Sequence, residues 1–382
     1  MMNNIEEIKV TDLLTNEMKS FRPEAEKLPG NVLHALKNEE LFIAPGLTDL
    51  QLNGLNGIDL NDDTLTPGEV QQLVHGLLKE GITTFLPTVI TNNPDIIERN
   101  IGIINEAARR YPEVSDCMLG FHVEGPFISR SEGARGAHPV EWIREPDIDL
   151  LLRWQTMSGN RIRLLTLSPE YEDSIALTKA CVRNNILVAI GHTNASPGQI
   201  EAAVKAGASL STHLGNGMHR SIHRHHNTLF TQLGNDELFA SIITDGHHIP
   251  DELIRIIIRS KLGKAFLVSD ATAFAGMEPG NYMSPIGREV HLDQHKRLSM
   301  KENDAYLAGA ASSLFDCVNY LQKQGLVSPA EAWKMGSVLP LQYLNRNAAK
   351  QPDISDDFVL LTIREGVFHR VLTHKQGRYF LP

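Results

Sequence analysis

The chain has 382 residues, room for one large domain or one large and one small, and its 42% hydrophobic and 21% charged content is that of a soluble globular enzyme. A net charge of -10 argues against a nucleic-acid partner, since phosphate backbones select basic surfaces, yet a few local cations still suffice to hold one small anion. No run of about 18 uncharged apolar residues exists to span a bilayer, and the opening MMNNIEEIKV lacks the apolar stretch of a secretory signal, so no membrane association and a cytoplasmic location are expected.

In chain order, the first forty residues lack clear strand pairs, and MKSFRPEAEKLPGNVLHALKNEE (18–40) reads as partly helical. Eight short apolar, β-rich runs follow. They are LFIAPGLTDLQLN (41–53), TTFLPTV (83–89), MLGFHVEG (118–125), RLLTLSP (163–169), LVAIGHT (187–193), SLSTHL (209–214), FASIITDG (239–246) and AFLVSDA (265–271). Helical patterns separate them, such as PGEVQQLVHGLLKEG (67–81) and PDELIRIIIRSKLGK (250–264). Strands alternating with helices imply a parallel sheet, and eight such units suggest a closed (β/α)₈ TIM-like barrel over residues 44–345. A doubly wound open sheet is the alternative. Residues 355–382 alternate like strands, so a small β-sandwich-like second domain is expected from both termini, residues 1–43 and 346–382. Cys117, Cys181 and Cys317 are odd in number, widely spaced and without a C-x-x-C pair, which marks them as reduced thiols.

The ends of the runs carry the chemistry. Strand three ends in Glu124, strand five in His192, strand six in His213 and strand eight in Asp270, while strand seven runs into Asp245 and His248. In a barrel the C-terminal strand ends converge on one mouth, where active sites sit. A single buried histidine is more often a hydrogen-bonded core residue than a ligand; several such residues arriving at one rim reverse that expectation. Glu, His and His on separate strands make a three-ligand metal set with an open position. A metal there lowers the pKa of water from 15.7 to about 7 and polarises a carbonyl. Asp270 is placed to take the water proton and pass it on, although an N-cap role is its bland alternative. Gln51 and Asn53, two apart on strand one, point the same way where two histidines would hold a second metal, and are read as polar barrel filling or as hydrogen-bonding partners of the substrate. One tightly bound divalent ion is therefore expected, zinc first, with iron, manganese or cobalt compatible with the same donors. The loop LGNGMHRSIHRHHN after His213 offers Asn216, Gly217 and Arg224, and DGHH offers His248; Arg and loop amides suit a phosphate, against the alternative of a solvated surface loop.

The segments APGLTDLQLNG, GITTFLPT, FHVEGPFIS, GAH (136–138), GHTNAS, THLGNGM, TDGHH, LVSDAT and LAGAASS run in order over residues 44–313. Together they resemble the N-acetylglucosamine-6-phosphate deacetylases of the amidohydrolase superfamily. The resemblance implies Glu124, His192 and His213 as metal ligands, Asp270 as acid and base, and His138 beside the scissile carbonyl. It implies contacts to phosphate and sugar from Ala137, Asn216, Gly217, Arg224, Asp245 and His248, and a sugar-lining segment at Leu307, Ala308 and Gly309. Gln51 and Asn53 match the single-metal branch. The implied substrate is a phosphorylated amino sugar, and the implied assembly a homodimer in which a neighbour reaches towards the phosphate. Two departures stand out: Glu124 and His138 lie two residues further apart than usual, and Arg224 is followed by His225, His226 and Asn227 in place of Glu-Pro-Gly. The competing readings are an amidohydrolase for another N-acyl amino sugar, such as N-acetylgalactosamine 6-phosphate, for an N-acyl amino acid or for a cyclic amide, and, from a different class, a barrel that binds without catalysis.

Overall fold

The computed structural model describes residues 7–24, 28–284, 289–346 and 357–382. Its centre is eight parallel strands: β1 (Leu47–Leu52), β2 (Ile82–Ile90), β3 (Phe121–Glu124), β4 (Ile162–Leu167), β5 (Leu187–Ile190), β6 (Ala208–Ser211), β7 (Phe239–Ile242) and β8 (Ala265–Leu267). Each pairs with its neighbour in chain order from β1 to β8. The seam between β8 and β1 closes more loosely, through a bridge at Leu52 and Ala271 and the Asp270 amide donating to the Gln51 carbonyl at 3.0 Å. The structure is the (β/α)₈ barrel expected from the eight runs. β1, β3 and β5 are buried throughout, because helices cover the outside and side-chain layers fill the inside.

The helices form where the sequence marks their starts and faces. The helix Pro67–Lys79 opens with a capping box between Thr66 and Glu69 and buries Val70, Leu73, Val74, Leu77 and Leu78, the stripe of a 3.6-residue repeat. The helix Pro197–Ala206 has a box between Ser196 and Gln199, and ends at Gly207, whose φ of 116° only glycine adopts readily.

Both termini build one six-stranded sheet, ordered Met18–Phe21, Ile8–Asp12, Phe42–Pro45, Phe358–Arg364, Val367–Lys375, Arg378–Phe380. Val32 and Leu36 of the helix Gly30–Asn38 pack on one face with Val10, Leu41, Leu360 and Leu372, whereas Val359, Leu361 and Phe368 turn into the barrel core. The C-terminal strands are where the alternation put them. The N-terminal pair Ile8–Asp12 and Met18–Phe21 is not read from sequence. Its second strand is four residues long and exposed at Met18, Lys19 and Ser20, so it carries almost no apolar pattern. A further difference is an antiparallel meander after β8, made of Gly280–Met283, Glu289–Leu292, Leu298–Met300 and Asn303–Leu307. It packs Val290, Leu292 and Leu298 around Phe274 and delivers Leu307, Ala308 and Gly309 to the barrel mouth. No helix among the described residues is long and apolar enough to cross a membrane.

Candidate metal centre and active site

Glu124 is the last residue of β3, His192 and His213 lie two residues past β5 and β6, and Asp270 three past β8. The last three share a backbone feature: φ is +46° at His192, +30° at His213 and +50° at Asp270. Non-glycine residues avoid that region at a cost of about 1–3 kcal/mol each, and such strain persists only where the surroundings impose it. Here they do. The His213 amide donates to Ser241 Oγ at 2.8 Å, the His192 carbonyl accepts from the Ser129 amide at 2.9 Å, and Asp270 is tied to Gln51 across the seam.

The outcome is a buried cluster whose ligand atoms all lie within 4.8 Å of one another. Glu124 Oε1 is 3.1 Å from His213 Nε2 and 3.3 Å from His192 Nε2, and the two imidazole nitrogens are 3.1 Å apart. The Ala134 carbonyl lies 3.0 Å from His192 Nδ1, which places the ring proton there and leaves Nε2 a lone pair. Lone pairs of nitrogen and carboxylate facing one another at this spacing fit a cation between them, and two imidazoles with one carboxylate are the donors a divalent transition ion takes. Burial opposes charge on Glu124, but the neighbouring His192 and His213 outweigh it and hold its carboxyl well below the usual range, in the anionic form a ligand needs.

Beside the cluster stands Asp270. Burial, then the charge of Glu124, pushes its carboxyl up to about 6. Gln51 Nε2 donates to Glu124 Oε1 at 2.8 Å and to Asp270 Oδ1 at 3.2 Å, and Asn53 Nδ2 donates to the same Asp270 oxygen at 2.8 Å. Strand one therefore presents amide N–H groups to the site. His138 arrives from the loop after β3, with Nε2 3.3 Å from His192 Nε2, and is held neutral by burial and by His192, its pKa lowered to about 3. Its Nδ1 is buried without a partner.

A cavity of about 570 Å³ opens over these groups. Asn53, Ala137, His138, Asn216, Gly217, His248, Leu307, Ala308 and Gly309 line it together with Glu124, His192, His213 and Asp270, so the structure brings most of the sequence-derived residues together. Three do not line it. Gln51 acts from behind through Glu124 and Asp270. Asp245 lies under His248, accepting from Nδ1 at 2.8 Å and from two backbone amides. Burial opposes its charge, but the His248 contact outweighs that and leaves the Asp245 carboxyl at about 2. Arg224 is exposed and outside the cavity of its own chain, whereas Arg220 of the same loop is on its lining.

Sequence reasoning missed Asp59, Asn61, His219 and Thr272 in the wall. Asp59 sits on a two-residue strand after Gly57, and burial pushes its carboxyl up to about 6. A lone acid after a turn glycine carries no mark that separates it from a surface turn.

No family model matches the chain. A zebrafish (Danio rerio) N-acetylglucosamine-6-phosphate deacetylase is 30% identical over 376 residues, 93% of this chain and 90% of the relative. An N-acetylgalactosamine-6-phosphate deacetylase of Escherichia coli O157:H7 is 29% identical over 303 residues, 79% of this chain and 78% of the relative. Among solved structures, the N-acetyl-D-glucosamine-6-phosphate deacetylase of Mycobacterium smegmatis, a mutant in complex with N-acetyl-D-glucosamine 6-phosphate, matches with a TM-score of 0.78 at 22% identity, over 90% of this chain and 88% of that one; it shares the fold. With the eight-stranded barrel, the Glu124, His192 and His213 cluster and the zebrafish relative in agreement, the chain belongs to the N-acetylglucosamine-6-phosphate deacetylase family.

Proposed function

We propose that the protein hydrolyses the acetamide of N-acetylglucosamine 6-phosphate to acetate and glucosamine 6-phosphate. The observation that carries this reading is the Gln51 amide, which touches both Glu124 of the ligand cluster and Asp270 in one buried site. Ligand set and proton carrier are thereby parts of one device. A divalent ion held by Glu124, His192 and His213 supplies Lewis acidity toward water and the amide carbonyl. Asp270 takes the proton of the attacking water and delivers it to the departing nitrogen as the C–N bond breaks. Gln51 and Asn53 keep the carboxylate aimed by two donated hydrogen bonds. His138, neutral and beside His192, orients the carbonyl oxygen. His248, fixed by Asp245, reaches the phosphorylated end together with Asn216 and the Gly217 backbone, and Leu307, Ala308 and Gly309 flank the sugar.

Two finer points follow from the same geometry. Gln51 and Asn53 stand where imidazoles would hold a second ion, and neutral amides compete poorly for a transition metal, which supports a single ion per chain; its imidazole and carboxylate donors suit zinc, and also iron, manganese or cobalt. Arg224, exposed beyond its own cavity, is available to the cavity of a second chain, which supports a homodimer.

The test is acetate release from N-acetylglucosamine 6-phosphate, N-acetylgalactosamine 6-phosphate and unphosphorylated N-acetylglucosamine, compared by kcat/KM. The first is expected to be fastest. Preference for the galacto epimer moves the substrate within the family, and preference for the unphosphorylated sugar overturns the phosphate assignment.

A further inference from the structure

Asp49 is completely buried and does not line the cavity over the Glu124, His192 and His213 cluster, so nothing in the reaction as described uses its carboxylate. It lies in the seam between β1 and β8, the one place where the barrel has no regular ladder. Oδ1 accepts the backbone N–H groups of Gln51 and Ser269, each at 3.2 Å, and Oδ2 accepts the Ser269 hydroxyl at 2.5 Å. That hydroxyl in turn accepts the Ala271 N–H at 3.0 Å. Ser269 and Ala271 bracket Asp270, whose backbone is in the left-handed region. A buried carboxylate is costly to desolvate, and an apolar pair fills a seam at no such cost.

We propose that Asp49 is a positioning residue for hydrolysis: through Ser269 it pins the chain on both sides of Asp270, and through its own strand it sets the Gln51 amide. The proposal rests on the reading of Asp270 as the proton carrier. The strained turn at Asp270 then depends on a relay, Asp49 to the Ser269 hydroxyl to the Ala271 amide. An amide at position 49 reverses one link, since its N–H faces the Ser269 oxygen that the Ala271 N–H needs.

The experiment uses the metal-loaded enzyme and the variants Asp49→Asn, Ser269→Ala and the double, with metal content, Tm, kcat and KM for each, and Asp270→Asn as control. Positioning predicts a roughly ten- to hundredfold loss of kcat at full metal content and near-native KM, the scale on which small misplacements act. It also predicts a double variant no slower than the slower single, because both break one relay. A lowered Tm with wild-type kcat per metal-loaded chain overturns the proposal, as do losses that multiply in the double. Should Asp49→Asn fail to fold, Ser269→Ala, which removes one oxygen, decides by the same criteria. Near-native turnover in Asp270→Asn, by contrast, removes the proton-carrier reading and not the seam geometry.

Discussion

Burial and the neighbouring Glu124 charge both oppose ionisation of Asp270 and push its carboxyl up to about 6, closer to the pH at which a group both takes and gives a proton. Asp270→Asn preserves shape and the ligand cluster, so it is expected to keep metal and fold while turnover falls about 10²- to 10⁴-fold; turnover within a few-fold of wild type moves the role to His138. Metal analysis after exhaustive dialysis is expected to approach one ion per chain and to fall to background in His192→Ala and His213→Ala; two retained ions count against the reading of Gln51 and Asn53. These residues were legible because each is a ligand or proton-carrying type at a strand end. His122, two before Glu124 on β3, shows the limit of that reasoning. It is fully buried, within 3.1 Å of the Leu50 carbonyl and 2.8 Å of Thr166 Oγ1, and lies outside the cavity. Spacing along a strand gives the face a side chain takes, not its depth in the barrel. Burial lowers its pKa from 6.5 to about 4. The folded chain then resists protonating His122 where the unfolded chain does not. Its contribution to stability is complete above pH 6.5 and is lost as pH falls towards 4, on the order of 3 kcal/mol in all. His122→Gln is expected to flatten the fall in denaturation midpoint between pH 7.5 and pH 5; parallel curves for the two proteins count against this assignment.

Elements with a strong period and a marked boundary were readable, and those without were not. The eight barrel strands are short apolar runs buried on both faces, and helices such as Pro67–Lys79 announce themselves by a capping box and a five-residue apolar stripe. The meander after β8 escaped because its strands are three to five residues long and some present side chains to solvent. Loops were legible only by composition, and the loop after β6 shows what composition leaves out. Gly217 has φ of +57°, and a Cβ there meets His192 Nδ1 at 2.9 Å and its Cα at 3.2 Å. His192 is itself strained, so it has no slack to yield. Gly217→Ala is expected to displace that imidazole and weaken metal binding by about 10- to 100-fold, the usual cost of disturbing the support behind a ligand. Competition with a chelator measures this, and unchanged metal affinity means the loop adapts without moving His192.

At the scale of the whole molecule, the barrel gathers the chemistry into one mouth while the one strong cation assigned to the phosphate, Arg224, stays outside its own cavity. Sequence order shows that Arg224 follows a ligand strand; it does not show which chain's cavity receives it. If a neighbouring chain completes the site, two defects on different chains complement each other. Arg224→Ala alone is expected to lower kcat/KM for the phosphorylated sugar by about one to two orders of magnitude, since a charge-assisted contact contributes about 1.5–3 kcal/mol and about 1.4 kcal/mol is tenfold. It should leave the slow reaction of the unphosphorylated sugar nearly untouched. Asp270→Asn is expected to be nearly inactive toward both. When the two are unfolded together, refolded with metal and assayed at low substrate, half of the dimers are hybrids. Each hybrid holds one site with both defects and one with neither, so about a quarter of all sites are intact by chain statistics. Recovery towards that fraction of wild-type activity, from a mixture whose separated components lack it, identifies Arg224 as acting across a two-fold interface. Activity equal to the average of the two homodimers places Arg224 in its own chain's site or outside the reaction. Equal damage by Arg224→Ala to both sugars makes it structural and leaves Arg220, on the cavity wall of the same loop, as the cation to test next.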